Sequence, residues 1–171
     1  MALKTKLYDT HVSLKGHMVS FNGYLLPTHY SGIKNEHEIV RSKAGLFDVS
    51  HMGEFIISGN NAFSFLQKIT INDIELLKVG QAQYSAMCFD DGGIMDDLII
   101  YRQEDCFMMV VNAANRKKNL NWLKKNCENN VTIKDISDEM GLLAIQGPRS
   151  KDILQTLTDS NLSSIEFYNF I

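Results

Sequence analysis

The alternation of apolar and polar positions changes period several times along the chain, and each change marks an element. Ala82 to Phe89 and Ile94 to Arg102 are two β-rich runs around Asp90-Asp91-Gly92-Gly93. Asp-Gly between such runs predicts a hairpin, because the turn needs residues that tolerate positive φ. Cys106 to Val111 is almost wholly apolar and reads as a strand covered on both faces. Glu54 to Ser58 is a shorter strand, punctuated by Gly59-Asn60-Asn61. Residues 36–44 have a helical pattern with Gly45 as the stop. Phe63, Leu66 and Ile69 recur every third residue, with Phe65 four before Ile69, which predicts one apolar helix face opened by an asparagine cap. A helix bearing Leu120 and Leu123 precedes β-type runs at 131–136 and 140–145. Gln146-Gly147-Pro148 then introduces a last helix, with proline in its first turn and Ile153, Leu154 and Leu157 on its buried side. Ile165 to Ile171 alternates like a half-buried strand up to the last residue, a pattern that suggests further chain beyond it. Hairpins mixed with single helices predict an α+β fold with mixed, largely antiparallel sheets. No internal repeat is visible.

Composition narrows the class. Hydrophobic residues make up 44% and charged residues 22%, with only two prolines, the profile of a soluble globular protein of 171 residues. A formal charge of −3 gives no electrostatic reason to expect nucleic acid. The basic pieces Arg116-Lys117-Lys118 and Lys124-Lys125 read as the solvated side of a helix. Three widely spaced cysteines without a C-x-x-C pair argue against a disulfide framework and a structural zinc. Cys88 and Cys106 fall inside strand-like runs, as small buried hydrophobes. With no apolar leader and no window of membrane-spanning length, a cytoplasmic location is expected and a membrane is not.

The chemistry is sparse. No dinucleotide loop, P-loop, zinc-protease or nucleophile-elbow motif is present. His11, His17, His29 and His37 are scattered, and Ser50-His51 are adjacent without thereby forming a nucleophile and base. Asp96-Asp97 in the second hairpin strand is the best lead. Strand neighbours face opposite ways, so the two carboxylates are not expected to serve one site as a pair. Two readings stand: one aspartate is drawn out of water and must then be paired or hydrogen-bonded, or both stay wet beside the turn. Asn112 is a helix cap or a side chain facing a cavity, and Tyr84 an ordinary strand aromatic unless a polar group meets its hydroxyl.

Four motifs in order carry a resemblance: Phe47-Asp48-Val49-Ser50-His51-Met52-Gly53-Glu54, Gly92-Gly93-Ile94-Met95-Asp96-Asp97-Leu98-Ile99, Val110-Val111-Asn112-Ala113 and Ala144-Ile145-Gln146-Gly147-Pro148. The opening from Leu7 to Pro27, with Phe21-Asn22-Gly23-Tyr24, is similar too. The chain resembles the N-terminal portion of the T-protein family, the aminomethyltransferases of the glycine cleavage system. That resemblance implies a folate-binding α+β fold of three lobes in a ring. Residues 1–50 with 140–171 would form one lobe and 51–139 a second, the C-terminal part of the family being absent. It also implies transfer of a one-carbon unit from the aminomethyl-lipoyl arm of the H-protein to tetrahydrofolate. Ammonia is released and 5,10-methylenetetrahydrofolate formed, with no metal involved.

By the same resemblance Asp97 is the catalytic carboxylate against the folate nitrogens, Tyr84 and Asn112 line the pterin end, and Met52 lies near the folate. The physical chemistry agrees: a fixed carboxylate orients the folate and stabilises the developing cation, most strongly away from water. A tyrosine offers a flat face and a polar rim to the pterin. The family's later carboxylate and arginine have no counterpart in these residues, so the 171 residues alone are expected to be inactive. The apolar run of Ile165, Phe167, Tyr168, Phe170 and Ile171, without a visible partner strand, is expected to make them poorly soluble. Two other readings use the same scaffold: a folate-dependent demethylase, and a non-catalytic folate-binding protein of the iron–sulphur-assembly type.

Overall fold

The computed structural model describes residues 2–171, which divide into two compact units. The first comprises residues 2–51 and 141–165 and the second residues 52–140 and 166–171.

In the first unit, β1 (Leu3–Lys4), β2 (Met18–Phe21) and β3 (Tyr24–Pro27) form a sheet of order β1-β3-β2. The β2–β3 turn is Asn22-Gly23, both with positive φ (48° and 84°), a two-residue reversal whose twist matches the strands it joins. Helix α1 (Tyr8–Ser13) lies between β1 and β2. Helix α2 (Ile33–Ser42) begins three residues before the predicted start. Its early start is fixed by Glu36, whose Oε1 accepts the backbone N–H groups of Tyr30, Ser31 and Gly32 and occupies donors the helix cannot satisfy itself. Gly45, expected as a helix stop, instead opens β4 (Gly45–Asp48), which pairs antiparallel with β10 (Leu143–Gln146). Gly147, at φ +120°, brings its backbone against the last turn of α2, where an added Cβ would lie 2.6 Å from the carbonyls of Val40 and Lys43.

Helix α5 (Ser150–Gln155) starts after Arg149, so Pro148 precedes the helix instead of sitting in its first turn. Its apolar residues are not in a core. Ile153, Leu154 and Leu157 are 42%, 37% and 78% exposed and line an apolar depression of about 470 Å³ with Leu46, Leu143 and Ile145. A two-stranded sheet and a short helix have too little surface of their own to cover that face.

The second unit is built on an antiparallel five-stranded sheet of order β6-β7-β8-β5-β9. Its strands are β5 (Gly53–Ser58), β6 (Gln81–Cys88), β7 (Ile94–Arg102), β8 (Cys106–Val111) and β9 (Thr132–Asp135). Phe55, Ile57, Ile100 and Met109 point to one face at zero exposure, where α3 (Ala62–Ile69) adds Phe65 and Leu66 and α4 (Arg116–Lys125) adds Leu123. Each such side chain is worth roughly 1.5–3 kcal/mol of burial. Asn61 stands at the start of α3 as expected but does not cap it; its amide donates to the Asn129 carbonyl. β8 is central and its Val110 is buried on the opposite face, whereas Cys88 and Cys106, expected to be buried, are only half-buried near strand ends.

Two basic residues are not simply solvated. Arg116 forms ion pairs with Asp135 (2.9 Å) and Asp138 (2.9 Å), and Lys118 donates to the Met95 carbonyl. Residues 165–171 are not a strand. Tyr168, at φ 56°, reverses the chain, and its carbonyl and the Phe170 N–H bond the start of β6 while Phe170 meets the Tyr101 ring edge-on. No helix among the described residues is long and apolar enough to cross a membrane.

One buried charge anchors the first unit. The Asp48 side chain is 2% exposed; its Oδ2 accepts from Thr5 Oγ1 (2.6 Å) and His11 Nε2 (2.9 Å), and its Oδ1 from the Ser50 N–H (3.0 Å). The Tyr30 hydroxyl and the other His11 nitrogen share a hydrogen bond of 2.7 Å. Burial pushes the Asp48 carboxyl up, but the bonds from Ser50, Thr5 and His11 outweigh it and hold the group below the ordinary 3.8. A carboxylate so depressed stabilises the fold at neutral pH and loses that contribution as pH falls through the folded value. His11→Ala is therefore expected to cost about 3 kcal/mol in urea unfolding near neutral pH. The deficit should shrink on acidification below the ordinary carboxylate range; a deficit independent of pH would exclude the charge as its origin.

Candidate functional site

The two aspartates of β7 are separated by strand alternation. Asp96 pairs with Met87 and Asp97 with Ala86, and Met87 points into the core at zero exposure. Asp96 follows it inward, 7% exposed, and Asp97 emerges on the other face. Met95 is an extra residue in the ladder, since Cys88 pairs with Ile94 and Met87 with Asp96; such a bulge re-aims the side chains beside it.

Asp97 is gripped from both neighbouring strands. Tyr84, across from Ile99 on β6, donates its hydroxyl to Asp97 Oδ2 at 2.6 Å. Asn112 follows Val111, the partner of Leu98, so it stands opposite Asp97 and donates Nδ2 to Oδ1 at 2.7 Å. The Tyr84 bond, with that from Asn112, holds the Asp97 carboxyl below the ordinary 3.8 against the upward push of burial. The same bond raises the Tyr84 phenol. Tyr84 remains 53% exposed, so its ring is available for stacking. The result is a fixed carboxylate at the edge of an open sheet face, flanked by an aromatic ring and an amide.

On the core side Asp96 meets three amides. Asn112 Nδ2 (3.1 Å) and Asn115 Nδ2 (2.9 Å) donate to Oδ1, and Asn119 Nδ2 (2.5 Å) to Oδ2. The carboxylates face opposite ways, as strand alternation requires, yet the Asn112 amide touches both. Met52 lies one step beyond the Gly53–Val111 pair, the register position opposite Asn112. Ser50, adjacent to His51, spends its hydroxyl on the backbone of Leu142. Among the described residues no group of three or more His, Cys, Asp or Glu side chains could hold a metal.

Residues 7–171 match the family described as the GCVT N-terminal domain. The chain belongs to that family. It is 49% identical over 172 aligned residues to an aminomethyltransferase of Bacillus velezensis, covering 100% of this chain and 47% of that one. It is 46% identical to the aminomethyltransferase of Bacillus subtilis, covering 100% of this chain and 48% of that one. Its fold matches the crystal structure of glycine cleavage system aminomethyltransferase T from Bartonella henselae with a TM-score of 0.92 and 32% identity, over 99% of this chain and 47% of that one. The chain thus spans about half the length of the curated relatives it matches. The family's fold, α+β with largely antiparallel sheets, is the fold of this chain.

Two features of this family member are not expected from the sequence: the convergence of three asparagine amides on Asp96, and the setting of Glu54. Asn112, Asn115 and Asn119 are spaced by three and four, a legible signal in retrospect, although only Asn119 lies within α4 and Asn112 is extended. Glu54 gives none, because its setting depends on strands distant in the chain. It lies in one cross-strand row with Val110, Ile99 and Tyr84, and so on the same sheet face as Asp97. It is 1% exposed, and neither carboxylate oxygen has a hydrogen bond. Burial pushes its carboxyl up from the ordinary 4.5 to about 7, against the pull of Arg116 and helped by Asp135 and Asp138.

A carboxyl raised in this way binds its proton in the folded state when the unfolded chain has already lost it. Folding stability therefore falls as pH rises through the window from 4.5 to about 7. Glu54→Gln is expected to remove that slope and to stabilise the fold above the window, by up to about 3 kcal/mol. Urea midpoints across the window check this; an unchanged slope would mean that Glu54 is not the titrating group.

Proposed function

We propose that the chain provides the folate-facing part of an aminomethyltransferase of the glycine cleavage system. In that reaction the one-carbon unit of the aminomethyl-lipoyl H-protein passes to tetrahydrofolate, ammonia leaves, and 5,10-methylenetetrahydrofolate forms. The observation that carries the reading is the grip of Tyr84 and Asn112 on Asp97 at an open sheet face, in a chain of this family. The names of its relatives and of its structural neighbour support the same activity.

Each residue has a role under this reading. Asp97, kept anionic well below neutral pH, orients the reduced folate and stabilises positive charge developing on its attacking nitrogen. Tyr84 holds the carboxylate in place and offers a ring face to the pterin. Asn112 holds the other carboxylate oxygen, and Met52, at the neighbouring register position, adds apolar contact. Tetrahydrofolate is the acceptor substrate and lipoylated H-protein the donor.

Calorimetric titration with tetrahydrofolate, of this chain and of a protein of its relatives' length that contains it, tests the reading. Saturable binding of reduced folate and none of NAD is expected. In the longer protein Asp97→Asn should lower turnover by about 10²-fold or more with little change in melting temperature, and Asp96→Asn should do less. Preference for NAD, or equal losses from both changes accompanied by unfolding, would refute it.

A further inference from the structure

Asn112 is the only side chain among the described residues that reaches both aspartates. β8 ends at Val111, and the next residue, off the ladder, places Nδ2 at 3.1 Å from Asp96 Oδ1 and 2.7 Å from Asp97 Oδ1. A carboxylate can only accept, so the amide must turn its NH2 toward both, with the Asp97 carbonyl a third, longer acceptor at 3.3 Å. Among the described residues nothing donates to Asn112 Oδ1. Asp96 itself is held rigidly: Asn119, fully buried, donates to its second oxygen, and Asn115 shares the first.

We propose that Asp96 is a positioning residue that acts through Asn112. It locks the amide plane so that Oδ1 is presented beside the Asp97 carboxylate as a fixed hydrogen-bond acceptor. The assignment rests on the reading of Tyr84, Asp97 and Asn112 as the ligand-contacting set. It deepens that reading in one chemical respect: the edge of the ligand lying against Asn112 carries an N–H or O–H donor. A group with only lone pairs there would face two acceptors, the carboxylate and the amide oxygen, and leave both without partners. Lock and contact are divided between the two faces of one sheet, so the lock is shielded from solvent that could compete for it.

The comparison of Asp96→Ala with Asp96→Asn tests this in the chain itself, without ligand. Both variants lack the charge, so the difference between them isolates the hydrogen bond to Asn112. Asparagine keeps an acceptor for Asn112 and Asn115, and Asn119 can turn its unpartnered Oδ1 toward the new amide. In NMR spectra of the Asn112 side-chain amide, Asp96→Ala should move both proton shifts toward free-amide values and raise the Asp97 carboxyl titration relative to Asp96→Asn. Asp96→Asn should preserve the amide shifts. Asp96→Ser, too short to reach Asn112, serves if the alanine chain does not fold. Asn119→Ala is the structural control: it should lower the melting temperature yet leave the amide shifts and the Asp97 titration in place.

With tetrahydrofolate as the probe, Asp96→Ala and Asn112→Ala should each weaken binding roughly ten-fold, and the double variant no further. Additive losses would overturn the proposal, as would shifts that track melting temperature in all variants alike. Absence of folate binding in every variant would count against the folate reading alone, since the NMR comparison decides the role of Asp96 independently.

Discussion

Everything at the candidate site follows from the two-residue alternation of an antiparallel sheet. Because neighbouring side chains on β7 must leave by opposite faces, one aspartate enters the core beneath α4 and the other meets the open face. The register then decides the partners: Tyr84 diagonally on β6 and Asn112 directly across on the β8 side share the face of Asp97. A slip of one residue on β7 would exchange the two carboxylates and leave a different set of groups at each. The nearly continuous burial of Leu98 and Ile100 on the core side makes such a slip costly, so the same packing that stabilises the sheet also aims the site.

The chain keeps its withdrawn carboxylates in three distinct ways. Asp48 is met by a histidine and two hydroxyl or amide donors, and Asp96 by three neutral amides. Both arrangements replace the hydrogen bonds that water would have made, which is the condition for burying a charge at tolerable cost. Glu54 has no such partners and answers by holding its proton instead, with its carboxyl moved to about 7. Asp97 and Glu54 thus share one face of the sheet, in different cross-strand rows, while Asp96 lies on the core side.

The first unit is organised differently. Its sheets have three and two strands, and it is tied by discrete polar contacts: Asp48 with His11 and Thr5, Glu36 with the start of α2, and Ser50 with the backbone of Leu142. Small sheets bury few side chains, so individual hydrogen-bonded links carry more of the organisation than in the five-stranded unit. The exposed leucines of β4, β10 and α5 are the counterpart of that economy of covering surface.

Local signals in the sequence determine much of the fold. The hairpin of β6 and β7, the central apolar strand β8, the apolar face of α3 and the α+β class are legible because period and turn chemistry are properties of short segments. Asn22-Gly23 is an equally strong hairpin signal of the same local kind, although β2 and β3 were not among the predicted elements. What short segments cannot contain is which residues meet across sixty or ninety positions. The reversal of residues 165–171 depends on bonds to Gly80 and Ala82, whereas the early start of α2 rests on a local contact of Glu36 that apolar periodicity does not register. The asparagine cap predicted for α3 is diverted to a distant carbonyl. At the site, sequence and family resemblance named Tyr84, Asp97 and Asn112, and alternation alone separated Asp96 from Asp97. Only the register of β6, β7 and β8 brings the three together, and only the packing of α4 beneath the sheet gives Asp96 its amides and leaves Glu54 with none. Facing is written into a strand by its geometry; the partner a side chain finds there is supplied by another part of the chain, and that is decided by the tertiary fold.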